Sequence, residues 1–228
     1  MSLKPSFGRK LNPDGFSPVD LALQNGHHQT VKRLIEIDSD LLRVQGKGRI
    51  APLHYVAKTG DFQLLAEFLL ACPASIHDLT IQRQTAVHIA VTNRRFAAFR
   101  VLLAWLQWED KEYVLSWKDE EGNTVLHIAA KTNQPQVARL LTNTVNVNAM
   151  NLMGLTALDL VDRLPNENQV MTSEITNILL RNKAKRVSSL AKVDSTVADI
   201  ITLKWPFYPK CARTFFFCNG TAIVQRHA

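Results

Sequence analysis

A short motif recurs five times along this 228-residue chain and constrains its fold more than any other feature. Each copy begins with Ser, Thr or Ala, continues with small apolar residues, and has His or Asp at its fourth position. The copies are SPVDLA, APLHYVA, TAVHIAV, TVLHIAA and TALDLV, starting at residues 17, 51, 85, 124 and 156. The steps between them are 34, 34, 39 and 32 residues. A period near 33 residues indicates a stacked array in which each repeat contacts its neighbours.

A second apolar segment follows each of the first four motifs, at residues 31–35, 62–70, 99–103 and 137–141. Two antiparallel helices of about ten residues cannot bury both apolar faces alone, so each pair must stack on the next. We therefore expect one inward-facing set on the first helices and one on the second helices. The two sets are Leu53, Val87 and Leu126, and Leu34, Leu69, Leu102 and Leu140.

A turn residue lies between the two helices of each repeat. Gly26, Gly60 and Asn133 suit a left-handed turn at this position. Arg94 takes the equivalent place in the third repeat, which predicts strain or a different turn there.

Three histidines, His54, His88 and His127, occupy the same register of consecutive motifs. A catalytic histidine would normally occur once, and repeats stacked about 10 Å apart are too distant to share a metal ligated at about 2 Å. We therefore expect a structural ladder in which both ring nitrogens join hydrogen bonds between neighbouring turns. Asp20 and Asp159 replace the histidine in the first and last motifs, where repeats are commonly atypical.

Composition and charge exclude several classes of function. Residues 1–180 carry equal numbers of acidic and basic residues, so the net charge of +7 resides in residues 181–228. Nucleic-acid-binding domains gather basic residues on a folded surface, so no nucleic-acid partner is expected. The three cysteines lack CxxC spacing, and no catalytic sequence motif is present. We expect no metal, no cofactor and no enzymatic activity.

The motif and its period resemble the ankyrin-repeat family over roughly residues 10–182. The resemblance implies an all-α solenoid of about five helix-turn-helix repeats joined by short hairpin loops. We assign a lead-in at 1–16, repeats at 17–165, a loop and capping helix with a basic end at 166–186, and a poorly ordered basic tail at 187–228. The stripe of Ile175, Ile178 and Leu179 suits a capping helix.

The chain also resembles, more narrowly, the plant membrane-associated ankyrin proteins of the bian da and accelerated-cell-death groups. The segments that carry this resemblance are APLHYVAKTG, TAVHIAV, WKDEEGNTVLHIAAKTNQ and NLMGLTALDLVD. It implies a role in immune signalling at the plasma membrane. The Pro-Gly-Gly motif and apolar spans of that group do not follow the TSEITNILLRNKAKR segment. We interpret the end as a truncated or alternatively spliced form, and expect a cytoplasmic monomer.

Two variable surfaces are implied by the family resemblance, the loop tips before the first helices and the exposed face of those helices. The tip positions are Lys47, Arg49, Ile50, Arg83, Gln84, Lys118, Glu120, Glu121, Asn123, Leu152 and Met153. The helix-face positions are Tyr55, Lys58, Thr59, Thr92, Asn93, Lys131 and Thr132. The selected partner-binding candidates are Arg49, Tyr55, Lys58, Arg83, Trp117, Lys118, Glu120, Glu121, Asn123 and Lys131.

Basic early tips and an acidic tip at Asp119, Glu120 and Glu121 predict a partner segment with charges of both signs. The alternative is that these charges only keep the array in solution. The insertion between repeats three and four holds Trp105, Trp108 and Trp117. We expect Trp105 to pack inward. The sequence does not decide between a buried and an exposed position for Trp108 and Trp117. Trp117 is the first candidate anchor for a partner.

The sequence therefore favours a non-catalytic scaffold for protein–protein interaction, in plant defence or stress signalling by resemblance. One alternative is a membrane-surface regulator in which the basic tail contacts anionic lipid. Another is a soluble competitor of membrane-bound relatives.

Overall fold

The structure is a computed structural model that describes residues 8–164 and 169–190. Residues 1–187 form one unit, and Ser188–Ala228 form a second, of which residues 188–190 are described as part of a helical turn. Most of the predicted basic tail, at 191–228, lies outside the described residues.

Helices alternate in pairs along the described chain, which contains no strand, and the predicted all-α solenoid is confirmed. The first helices of repeats 1 to 5 are α1 Pro18–Gln24, α3 Pro52–Thr59, α5 Ala86–Thr92, α7 Val125–Lys131 and α9 Ala157–Val161. The second helices are α2 His28–Ile37, α4 Phe62–Ala71, α6 Phe96–Trp108, α8 Pro135–Leu141 and α10 Gln169–Arg181. Each first helix packs on the next, and α10 packs on α8 and α9. The segment expected to be a cap therefore occupies the second-helix position of repeat 5.

The first helices begin where the motif begins. The hydroxyls of Ser17, Thr85 and Thr156 accept a hydrogen bond from the backbone N–H three residues later, which satisfies a donor that the helix leaves unpaired. Ala51 takes this place in repeat 2 and has no side-chain oxygen to offer. Thr124 of repeat 4 also makes no such bond, although it carries a hydroxyl. The motif thus specifies a helix start in every repeat, but two of the five caps lack this bond.

The turns between the helices share one left-handed residue, with φ of 70° at Gly26, 88° at Gly60, 56° at Arg94 and 53° at Asn133. The expectation of strain at Arg94 fits its positive φ, because a side chain disfavours that region. The turn itself has the same form as that of repeat 4. Arg94 and Asn133 each donate to the carbonyl three residues back, at 3.0 and 3.1 Å.

The core contains five of the seven inward-facing residues predicted, and the half-buried Leu34 packs against it. Leu140 is the exception at 38% exposed. The buried face of α8 is set by Val137, Ala138 and Leu141, and Leu140 lies about 100° away from that face at 3.6 residues per turn. Trp105 is buried as predicted, Trp108 is exposed, and Trp117 is half-buried against the core.

Candidate functional site

Five hairpin loops precede the first helices, at residues 12–16, 46–50, 80–84, 119–123 and 151–155. In each loop the N–H of the first residue donates to the carbonyl of the fifth, at 2.9 to 3.1 Å. Side chains also fold several loops. For example, Asp119 Oδ1 accepts from the N–H groups of Glu121 and Asn123, at 3.0 and 2.8 Å. The loops are therefore fixed locally before any partner binds.

Backbone hydrogen bonds also join each hairpin to the next. The N–H groups of Lys47, Ile81, Glu120 and Leu152 donate across the repeat boundary. Their acceptors are the carbonyls of Gly15, Gly48, Gln82 and Glu121, at 2.9, 2.9, 3.0 and 3.0 Å. The hairpin tips consequently form one continuous row with a defined order of side chains.

The fourth residue of each hairpin has a positive φ. Glycine fills this position as Gly15, Gly122 and Gly154, whereas hairpins 2 and 3 place Arg49 and Arg83 there, with φ of 56° and 58°. Non-glycine residues pay a steric cost in this region. Both arginines are exposed, so no buried contact explains the choice.

The chemistry of the tips changes along the row. Hairpins 2 and 3 present basic side chains and the exposed apolar Ile50 and Ile81, hairpin 4 presents Glu120 and Glu121, and hairpin 5 presents Leu152 and Met153. Ile81 is 65% exposed and Leu152 is 78% exposed. We call the exposed side chains of Lys47, Arg49, Arg83, Glu120, Glu121, Leu152 and Met153 the tip row.

A groove of about 160 Å³ lies between the tips and first helices of repeats 3 and 4. It gathers tip and helix-face positions that are far apart in sequence. Its lining residues are Gln82, Gln84, Thr92, Asp119, Glu120, Glu121, Asn123, Ile128, Lys131 and Thr132. Lys131 Nζ lies 3.7 Å from Glu121 Oε2, with both side chains exposed, so the groove carries both charge signs.

Asn123, expected to be a partner-binding tip residue, lines the groove but is largely buried. It is only 5% exposed, its amide donates to Glu121 Oε2 at 2.9 Å, and its Oδ1 accepts from the Asn151 amide at 2.9 Å. The side chain ties hairpin 4 to hairpin 5 at the floor of the groove.

The remaining candidates lie outside the groove. Tyr55 is half-buried against the core, and Lys58 is exposed on α3. The ammonium of Lys118 donates to the Met150 carbonyl at 2.8 Å, which links repeat 4 to repeat 5. Arg49 Nε donates to Gln45 Oε1 at 3.0 Å.

Trp117 belongs to a surface aromatic cluster with His77 and Tyr113. Its ring centroid lies 5.8 Å from that of His77 and 6.2 Å from that of Tyr113, and the Tyr113 hydroxyl lies 2.7 Å from His77 Nε2. Trp117 is not among the residues that line the groove. The candidate anchor is therefore part of the aromatic cluster and not of the groove lining.

His54 and His127 join neighbouring repeats as the predicted ladder requires. Their Nδ1 atoms accept from the N–H groups of Ala51 and Thr124, at 3.0 and 3.2 Å, which leaves the proton on Nε2. His54 Nε2 donates to the Asp78 carbonyl at 3.0 Å and His127 Nε2 to the Leu155 carbonyl at 3.1 Å. Burial lowers the pKa of both imidazoles, so they are neutral at pH 7.

His88 departs from this arrangement. Its Nδ1 lies 2.7 Å from the Thr85 hydroxyl, but its buried Nε2 has no hydrogen-bond partner among the described residues. Burial lowers the pKa of His88 to about 4, while the Asp119 charge and the nearby Asn123 and Trp117 carbonyls act in the opposite direction. The prediction that both nitrogens are used therefore fails at this histidine.

The described residues contain neither a metal-binding cluster nor a membrane-spanning helix. No group of three side chains there is placed to hold a metal ion. No helix there has the length and apolar character needed to cross a membrane.

Comparison with known proteins identifies the repeats. The family model for ankyrin repeats in three copies matches residues 19–111, and the model for a single ankyrin repeat matches residues 121–152. Among solved structures, the ankyrin repeat protein EF0377 superposes with a TM-score of 0.63 at 22% identity, covering 76% of this chain and 84% of that chain. This likeness supports the fold alone.

Two curated relatives come from Arabidopsis thaliana. Protein ACCELERATED CELL DEATH 6 is 30% identical over 132 residues, covering 53% of this chain and 19% of the relative. Ankyrin repeat-containing protein BDA1 is 39% identical over 112 residues, covering 46% of this chain and 26% of the relative. The chain thus spans about a quarter or less of the length of these relatives.

Proposed function

Because the chain belongs to the ankyrin-repeat family, we propose that it is a non-catalytic scaffold for protein–protein interaction whose partner binds at the groove of repeats 3 and 4. The observation that carries this proposal is that hairpin-tip residues and first-helix residues come together in one groove. Tip residues Glu120 and Glu121 and the first-helix residues Thr92, Lys131 and Thr132 line one depression.

The groove has the features that protein recognition needs. Its walls are held in place by the bonds from Glu120 N–H to the Gln82 carbonyl and from Leu152 N–H to the Glu121 carbonyl, so little ordering cost remains at binding. Charges of both signs at its rim favour orientation and selectivity over bulk affinity.

The test is quantitative capture of partners by the full chain and by charge-reversed variants. We expect the Glu120→Lys, Glu121→Lys double variant to capture at least tenfold less of the specific partner than the wild-type chain does. Its circular dichroism spectrum should remain unchanged. Glu36→Lys is the matched control, because Glu36 is exposed on the second helix α2. Equal capture by the double variant and the control would remove the groove as the binding surface.

We further propose that the partner acts in plant defence or stress signalling. The support is the similarity to two Arabidopsis proteins, one of which is named for accelerated cell death. Expression of the chain in leaf tissue should change the extent of pathogen-induced cell death, and the groove variant should not. Identical cell death with the chain, the variant and an empty vector would contradict the assignment.

The proposal further states that the chain is a cytoplasmic monomer. It binds a cytosolic segment or a receptor tail of another protein and has no nucleic-acid partner. The membrane-surface alternative depends on the basic tail at 187–228, most of which lies outside the described residues. No observation on the described part of the chain favours it.

A further inference from the structure

We infer that the partner segment is an extended peptide whose charges follow a fixed order along the tip row: two acidic residues, then a basic residue, then an apolar residue. This inference rests on the proposed function and specifies the chemistry of the partner. It places the acidic residues against Arg49 and Arg83, the basic residue against Glu120 and Glu121, and the apolar residue against Leu152.

The two arginines carry the first half of the argument. Both hold a left-handed backbone conformation that hairpins 1, 4 and 5 assign to glycine. Strained residues that local packing does not require are found preferentially at binding sites. An exposed arginine has five N–H donors in a planar fork that matches a carboxylate, and neighbouring Lys47 adds to the positive potential.

The acidic and apolar tips carry the second half. Glu120 makes no ion pair with the described residues. The ion pair of Glu121 with Lys131 is exposed and of a kind that contributes little, and Glu121 Oε2 also accepts from the Asn123 amide. Leu152 and Met153 are large, exposed apolar side chains at the next tip. An apolar partner side chain there would remove surface from water next to the charged contacts.

The repeat geometry fixes the spacing in the peptide. Packed helices lie about 8–10 Å apart, and an extended chain advances about 3.3 Å per residue. One repeat therefore corresponds to about three peptide residues. The continuous hydrogen bonding between hairpins keeps this spacing constant from repeat 2 to repeat 5.

The experiment is selection of random 16-residue peptides displayed on phage against the immobilised full chain. We expect enriched sequences with two acidic residues about three apart, a basic residue about three further on, and an apolar residue beyond it, in either chain direction. A parallel selection on Arg49→Glu, Arg83→Glu should exchange the acidic positions for basic ones. Arg33→Glu, Arg100→Glu is the matched control, with both arginines exposed on second helices.

The best enriched peptide should bind the Arg49→Glu, Arg83→Glu variant at least tenfold more weakly than the wild type, which is about 1.4 kcal/mol. The control variant should bind it within twofold of wild type. Raising the salt concentration from 0.1 to 1 M should remove most of the difference, because these charges are exposed.

The outcomes separate this inference from the proposed function. Enriched peptides that lack the charge order, yet lose binding with Glu120→Lys, Glu121→Lys, would overturn the inference and leave the proposed function standing. Enrichment of uniformly basic or uniformly apolar peptides would also overturn it. No enrichment above a bare support would count against both.

Discussion

At the scale of single residues, the hairpins show a conflict between stability and surface chemistry. A side chain at positive φ costs about 1–2 kcal/mol relative to glycine. Arg49 and Arg83 bear this cost at exposed positions, whereas Gly122 could not be replaced, because an added Cβ would lie 2.6 Å from the Leu152 nitrogen. The same backbone position therefore serves close packing in hairpin 4 and presents charge in hairpins 2 and 3.

Replacing either arginine by glycine should stabilise the protein and weaken binding. The relief of strain exceeds the extra chain entropy that glycine loses, about 0.5–1 kcal/mol, so each variant should gain about 0.5 kcal/mol. Thermal unfolding should shift upward by about 1–2 °C per site. Arg49→Lys is the control, since it keeps the strained backbone and should not gain stability. A lower melting temperature in both glycine variants would contradict the account.

The histidine ladder makes stability depend on pH. His88 has a folded-state pKa of about 4, below the usual value near 6.5, so the unfolded chain binds a proton in this range that the folded chain does not. Its contribution is complete above pH 6.5 and is lost as the pH falls to 4, by about 1.4 kcal/mol per pH unit. His54 and His127 shift in the same direction.

Urea unfolding between pH 7 and pH 4 should therefore show steadily falling stability, and His88→Gln should reduce the slope without abolishing it. His77→Gln is the control, because His77 lies on the surface cluster and only partly out of solvent. A His88→Gln variant with the wild-type slope would show that His88 does not titrate as proposed.

At the scale of elements, the motif predicts where helices start but not every detail of their faces. Leu140 was misplaced because α8 is only seven residues long, and its buried face is set by Val137 and Leu141. The burial of Asn123 could not be predicted, because it depends on the bond with Asn151, 28 residues away. The left-handed arginines were detectable in principle, since aligning the hairpins on Gly15, Gly122 and Gly154 places Arg49 and Arg83 in the glycine position.

The weaker cap of α3 can be repaired. Ala51→Ser would supply a hydroxyl like those of Ser17 and Thr85, which accept from the backbone three residues on. We expect a gain of about 0.5–1 kcal/mol in the free energy of unfolding, measured by urea titration at constant m-value. Ala57→Ser is the control, because it adds a hydroxyl at a buried site inside α3 and should destabilise. Loss of stability in Ala51→Ser would show that the site has no room for the oxygen.

At the scale of the whole molecule, stacking turns five weak units into one surface. Each first helix packs on the next, and each hairpin after the first donates one backbone hydrogen bond to the hairpin before it, so local order propagates along the array. Periodicity allowed this architecture to be predicted from sequence. The groove could not be predicted in the same way, because it depends on how residues 82–84, 119–123 and 128–132 meet in space.

The most direct test of the central claim is hydrogen–deuterium exchange of the full chain with and without a selected peptide. We predict that protection appears in hairpins 46–50, 80–84, 119–123 and 151–155 and in the first helices α5 and α7, with no change in the second helices. Protection confined to the second helices, or to the aromatic cluster of His77, Tyr113 and Trp117, would contradict a binding surface at the tips and groove.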